Sequence, residues 1–296
     1  MSFQFHQRRS GWDVANYIVL AMISLTSMIP LLYVISISFT DPAVYIPLRF
    51  QLLPPKASIA AYKYILSTNS FMNALKSTSF ITLAGTLCNL IATYTFAYAL
   101  TKRGMPLRKL MIGVITFNLI FSVGLIPNYL LIKNLGLMNS YWALILGGLT
   151  NSWSLIVVRS FMDSLPKELE ESATIDGCNE LMSFLRVILP LSMPSIAAFT
   201  LFFAVGHWNT YFNALIYLSD STKWTLQVLV KSLVIDSNSG GVGASGAAAA
   251  LGDERVLPQE TIRMASIVLS MAPILCVYPF LQKYFVKGVM LGAVKG

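Results

Sequence analysis

Charge is what this sequence has least of. Only 11% of its 296 residues are Asp, Glu, Lys or Arg, against about 25% in ordinary soluble domains. With 55% hydrophobic residues and a mean hydropathy of +0.66, too little polar surface remains to coat a soluble particle. Intrinsic disorder is excluded as well, because it needs low hydrophobicity and high net charge. Cysteine is scarce: Cys88, Cys178 and Cys276 stand far apart without a CxxC pair, which argues against a disulfide or a metal site. His6 and His207 are the only histidines, and HExxH is absent. No Gly-Lys dipeptide occurs, so there is no Walker A phosphate loop. Despite a net charge of +8, no basic face on a soluble fold suggests nucleic acid.

The few charges are segregated. Six predominantly apolar runs, 14–40, 77–101, 110–132, 134–158, 187–219 and 264–282, contain none of them. A hydrocarbon core of about 30 Å needs about 20 apolar residues in a helix. Backbone polar groups in lipid must be satisfied within the chain, which favours helices. The pattern predicts an all-α membrane protein with six transmembrane helices. The first run is too long for a signal-peptide core and leads into Asp41-Pro42 without a cleavage site, so it is expected to remain as an anchor. The charge-free stretch 237–252 is Gly, Ser and Ala and reads as a loop.

Lys and Arg set the orientation. Segments 1–13, 102–109, 159–190 and 283–296 hold 12 of the 21 basic residues, and 40–76, 133–139 and 220–263 hold 9 in a longer span of sequence. The cluster Lys102, Arg103, Arg108 and Lys109 is the strongest indicator. Both termini are expected in the cytoplasm. The absence of Asp, Glu, Lys and Arg from the runs also argues against a proton-coupled carrier, which usually needs an intramembrane charge. His207 is the only titrating candidate near a span and reads more simply as a polar residue at a helix end.

The inside segment 159–190 reverses the local sign. Arg159, Lys167 and Arg186 face Asp163, Glu168, Glu170, Glu171, Asp176 and Glu180. A short helix is expected over roughly 165–176. Ser164 is a candidate cap, Pro166 sits in the first turn, acidic residues favour the positive helix start, and Gly177 suits a left-handed end. Leu165, Leu169 and Ala173 recur on one face. On residues alone, a solvated linker helix and a docking helix for a soluble partner remain equally open.

Glu171-Ser172-Ala173-Thr174-Ile175-Asp176-Gly177, nine residues, then Val187-Ile188-Leu189-Pro190, resembles the EAA loop of ABC importer permeases. Ser172 and Val187 depart from the family's Ala and Ile. Pro54 to Tyr62, Trp208 to Phe212 and Gln282 to Gly288 resemble the carbohydrate-uptake branch, specifically the maltose-type second permease subunit. Gly124 to Leu130 and Gly206 to Asn209 resemble a sub-branch for acidic or complex oligosaccharides such as uronides and alginate. The resemblance implies one transmembrane permease domain over 1–296, of the type I ABC importer kind, in a bacterial cell inner membrane. It implies coupling to an ATPase dimer through Glu168, Glu171, Ala173, Asp176, Gly177, Leu189 and Pro190. It also implies a second, non-identical permease, an extracytoplasmic solute-binding protein and a carbohydrate substrate. This chain then binds no cofactor, ATP and Mg being held by the ATPase.

Sugars are held by aromatic faces and by amide or hydroxyl hydrogen bonds. Candidates along the path are Tyr94, Asn118, Asn128, Tyr129, Trp208, Asn209, Tyr211 and Asn213. An asparagine within a span can instead join helices, and Tyr141, Trp142 and Trp153 read as interface anchors. The Gly-rich run within 220–263 is a candidate contact for the binding protein. Deleting 238–250 is expected to cut uptake while assembly with the ATPase persists; unchanged uptake would end that idea. Competing readings are an ABC permease for a non-sugar solute, a proton-coupled carrier, and a membrane-embedded enzyme or assembly factor.

Overall fold

The structure is a computed structural model that describes residues 11–47, 49–121, 123–238 and 258–293. The Gly/Ala-rich stretch therefore lies outside the described residues from 239 onward. Among the described residues there are helices and no strands; a single bridge joins Thr40 to Ala57. By their contacts these residues fall into two units, those of Met1–Thr68 with Leu233–Ser270 and those of Asn69–Ser232 with Met271–Gly296.

In the first unit, α1 (Gly11–Ser38) is followed by a short 3-10 turn and α2 (Ala60–Ser67). Ser38 ends α1, donating its hydroxyl to the Ile35 carbonyl, and pairs with the Tyr62 hydroxyl at 2.7 Å. Asp41 caps the 3-10 turn and forms an ion pair with Lys56 at 2.7 Å.

The second unit is organised around α3 (Asn69–Thr101), one unbroken helix of 33 residues. Around it run α4 (Arg108–Ile120), α5 (Leu125–Asn134), α6 (Tyr141–Leu146), α7 (Ser152–Asp163), α8 (Lys167–Ile175) and α9 (Glu180–Ser183). A π-helical segment, Phe184–Ile188, leads through α10 (Leu189–Leu191) into α11 (Met193–Trp208) and α12 (Phe212–Tyr217). Two helices, α13 (Leu226–Asn238) and α14 (Gln259–Ala293), cross the boundary between the units.

Among the described residues, three helices are long and apolar enough to cross a membrane alone: Trp12–Ser38, Asn69–Thr101 and Gln259–Val277. A fourth qualifies as a bent pair, Glu180–Leu191 with Met193–Trp208, turned by 80°. Pro190 and Pro194 explain the bend, since neither can donate a backbone hydrogen bond and both clash with a continuing helix. The runs 110–132 and 134–158 are not single helices. The first is divided between α4, which ends at Ile120, and α5, which starts at Leu125 after Gly124 and just ahead of Pro127, and the second breaks at 147–151, across Gly147 and Gly148. Hydropathy alone did not register these breaks, because glycine and proline leave a run apolar while weakening the helix.

Candidate functional site

The helix of the acidic loop, α8, is shorter than expected. Ser164 does not cap it: its hydroxyl donates to the Phe161 carbonyl at 2.7 Å, closing α7 instead. Pro166 takes the position before the helix, and no side chain caps that end. Glu168 and Glu170 lie in its first turn. Its other end follows a Schellman arrangement: Cys178 donates to the Ala173 carbonyl at 2.9 Å and Gly177 to Thr174 at 3.1 Å. Gly177 accordingly has φ +85°, with open space where a Cβ would stand.

Ala173 is buried within this chain, whereas Glu168, Glu171, Asp176 and Gly177 are exposed. Ile175 is 86% exposed beside them, a large apolar side chain at the tip of an acidic surface. Leu189 packs partly buried on a core cluster, and Pro190 is exposed at the bend.

Glu170 and Glu180 belong to a different arrangement. Lys102, just beyond the end of α3, forms ion pairs with Glu170 and, at 2.5 Å, with Glu180. The Tyr98 hydroxyl donates to Glu170 at 2.6 Å and lies 3.1 Å from a Glu180 oxygen. The Lys102 ammonium sits 4.5 Å over the Tyr98 ring, which packs against Phe184 at 4.8 Å. Burial alone would pull the Lys102 pKa down, but the bonds to Glu170 and Glu180 raise it above the ordinary lysine value. The hydrogen bond from Lys102 holds Glu180 below the usual carboxylate range, against desolvation.

A cavity of about 480 Å³ lies between α3, α5, α6, α11 and α12. Two chain breaks border it: Gly147 and Gly148 between α6 and α7, and Thr210 between α11 and α12. Buried backbone groups that a helix break leaves without a helical partner need another. Asn89 of α3 supplies one, donating to the Gly148 carbonyl at 3.1 Å. Its amide oxygen is 3.4 Å from His207 Nε2. Both side chains are buried. Gly85, one turn earlier on α3, makes room for the imidazole: a Cβ there would stand 2.5 Å from Nε2. Asn209 and Thr210 satisfy the α11–α12 break through Val205 and Gly206 carbonyls, and Thr225 donates to the Thr210 carbonyl.

The predicted path residues are divided. Asn128 and Asn213 line the cavity and are exposed on this chain; Asn128 also donates to the Val123 carbonyl at 3.2 Å. Tyr129 and Tyr211 pack, half-buried, against a neighbouring core cluster. Asn209 accepts from Gln227 at 3.2 Å. Trp208 is buried and lines a separate, apolar cavity with Leu83, Leu87 and Thr200. Asn118 borders a third cavity beside Asn151, the cap of α7. Tyr94 is buried, with its hydroxyl 2.7 Å from Ser195. Sequence reasoning missed Asn89 and Gly85, and took Lys102 only as a topology signal. An asparagine in the middle of an apolar run, four residues after a glycine, was the available clue.

The sequence profile of binding-protein-dependent transport system inner membrane components matches residues 12–291. This chain belongs to that family. It is the permease of an importer, a non-catalytic membrane component. Protein LplC of Bacillus subtilis (strain 168) is 43% identical, over 98% of each chain. The polygalacturonan/rhamnogalacturonan transport system permease protein YtcP of the same organism is 42% identical, over 96% of this chain and 98% of its own. Among solved structures, a chain of a bacterial ABC transporter involved in the import of the acidic polysaccharide alginate superposes with a TM-score of 0.84. It has 31% identity, over 96% of this chain and 100% of that one.

Proposed function

We propose that this permease carries an oligosaccharide, acidic in character, through a path it shares with a second permease. The observation that carries the reading is the cavity, where two helix breaks meet amide, imidazole and aromatic side chains: Asn89, Asn128, His207, Asn213 and Tyr217. Discontinuous helices around a midplane cavity are a recurrent way to build a substrate site in transporters. Amides and aromatic faces suit the hydroxyls and C–H faces of a sugar. The polygalacturonan/rhamnogalacturonan permease YtcP and the alginate transporter support the substrate class. Asn128 and Asn213 are open on this chain's surface, as a half-pathway requires.

In this reading the chain is one permease domain with six spans, both termini in the cytoplasm, in a bacterial inner membrane. The loop 159–190 docks on an ATPase dimer. Exposed Ile175, flanked by Glu168, Glu171 and Asp176, presents an apolar contact within an acidic rim. Glu171, Asp176 and Gly177 meet the ATPase directly; Ala173, Leu189 and Pro190 support the loop from within this chain. ATP and Mg remain on the ATPase, and an external binding protein delivers the sugar.

The test is uptake of labelled oligouronides and of a neutral oligosaccharide by cells carrying the whole importer. Loss of this chain is expected to abolish oligouronide uptake. In the Asn128→Ala/Asn213→Ala double variant, KM for the oligouronide is expected to rise about tenfold, two neutral hydrogen bonds being worth about 1–3 kcal/mol together. Oligouronide uptake unaffected by loss of the chain would refute the reading.

A further inference from the structure

We infer that Lys102 is a positioning residue that latches the coupling helix α8 to α3, so that displacement of α8 by the ATPase is delivered along α3 to the cavity. The inference rests on the proposed docking of the loop 159–190.

Two carboxylates from different parts of the loop, Glu170 on α8 and Glu180 on α9, converge on one ammonium. Tyr98 ties the same two carboxylates from inside α3 and is itself wedged against Phe184 of the π segment. Four elements, α3, α8, α9 and the π segment, are thus joined at one point. The Lys102 and Glu170 side chains are each only 26% exposed, so their attraction is less screened than that of a surface pair. A point charge with three donors can hold both carboxylates and the tyrosine face together. The remaining acidic residues of α8, Glu168 and Glu171, are left outward for a partner.

The other end of the connection is on the same helix. Gly85 and Asn89 of α3 touch His207 and the Gly148 carbonyl at the cavity. No break interrupts α3 between Asn89 and Thr101. A rigid helix gripped at both ends is the kind of contiguous element through which two sites can be coupled.

The experiment uses the assembled importer with Cys88, Cys178 and Cys276 replaced by serine and a reporter at Leu131→Cys, which lines the cavity. Its labelling by a water-soluble maleimide is followed with and without ATP. In the parent, ATP is expected to change the labelling rate several-fold. In Lys102→Met that change is expected to shrink to less than twofold while ATP is still hydrolysed. The charge-swapped Lys102→Glu/Glu170→Lys pair keeps one cation between two carboxylates and is expected to recover at least half of it. A Lys102→Met protein that retains the parental change overturns the latch. So does a swap no better than the single variant, including the case in which Lys102→Met fails to assemble. Hydrogen exchange over residues 167–183 gives a readout independent of transport. Lys102→Met is expected to speed exchange about tenfold and the swap to slow it again; unchanged exchange overturns the latch even if the permease reading stands. A parent that moves no oligouronide overturns the substrate reading and leaves the latch to be judged by labelling and exchange, neither of which depends on the sugar.

Discussion

A Gly177→Trp chain is expected to reach the membrane and fold, yet to import almost nothing. Gly177 closes α8 with φ +85°, and beyond its two chain neighbours nothing among the described residues lies within 4 Å of where its Cβ would be. A residue with a Cβ pays about 1–2 kcal/mol for the left-handed conformation. That strain alone frays the Schellman end formed through Ala173 and Thr174. The indole then fills the open ground beside Ile175 and Asp176, where the proposed ATPase contact lies. Strain and bulk can be separated by two milder variants. Gly177→Asn, which tolerates the left-handed region, is expected to keep most uptake. Gly177→Ala should fall between the two. The measurement is uptake together with the amount of ATPase that copurifies. Full uptake by Gly177→Trp would count decisively against docking at this surface.

The second large effect is expected from a single methyl group. Gly85→Ala would bring a Cβ within 2.5, 2.6 and 2.8 Å of three atoms of the His207 ring, closer than real side chains approach. His207 is 8% exposed and lies against the cavity, so the ring must be driven out of its place. Overpacking of this kind costs about 1–3 kcal/mol. It also breaks the contact of His207 with Asn89, whose other bond satisfies the Gly148 carbonyl. Uptake is expected to fall at least tenfold, with a lower thermal midpoint for the purified importer. Removing the ring should relieve the clash, so Gly85→Ala/His207→Ala is expected to be more stable than Gly85→Ala. A double variant no more stable than the single one would show that the cost lies elsewhere.

The membrane character and the acidic helix were legible because each is written in local sequence. Charge-free runs report burial in lipid residue by residue. Glutamates in a first turn and a glycine at a helix end report their own positions. The breaks in the third and fourth runs were less legible, since Gly124, Gly147 and Gly148 are as compatible with a packed helix as with an interrupted one. What could not be read was pairing. Lys102 and Glu170 are separated by 68 positions and Asn89 and His207 by 118. Nothing in composition or periodicity chooses such partners. Tyr94 illustrates the reverse: a tyrosine in a greasy run looks like a sugar contact, but here its hydroxyl is engaged by Ser195, 101 positions away. Asn128 and Asn213 turned up at the same cavity although sequence spacing alone could not relate them.

The unbroken length of α3 sets a mechanical scale. At 1.5 Å per residue, Asn89 stands roughly 20 Å along the helix from Lys102. Pivoting that lever by about 10° at its Lys102 end would sweep Asn89 sideways by about 3 Å, given the same rise per residue. The bond from Asn89 to Gly148 is itself 3.1 Å long. A rotation within the ordinary scatter of helix crossing angles is therefore large enough to unmake the hydrogen bond that holds one wall of the cavity in place.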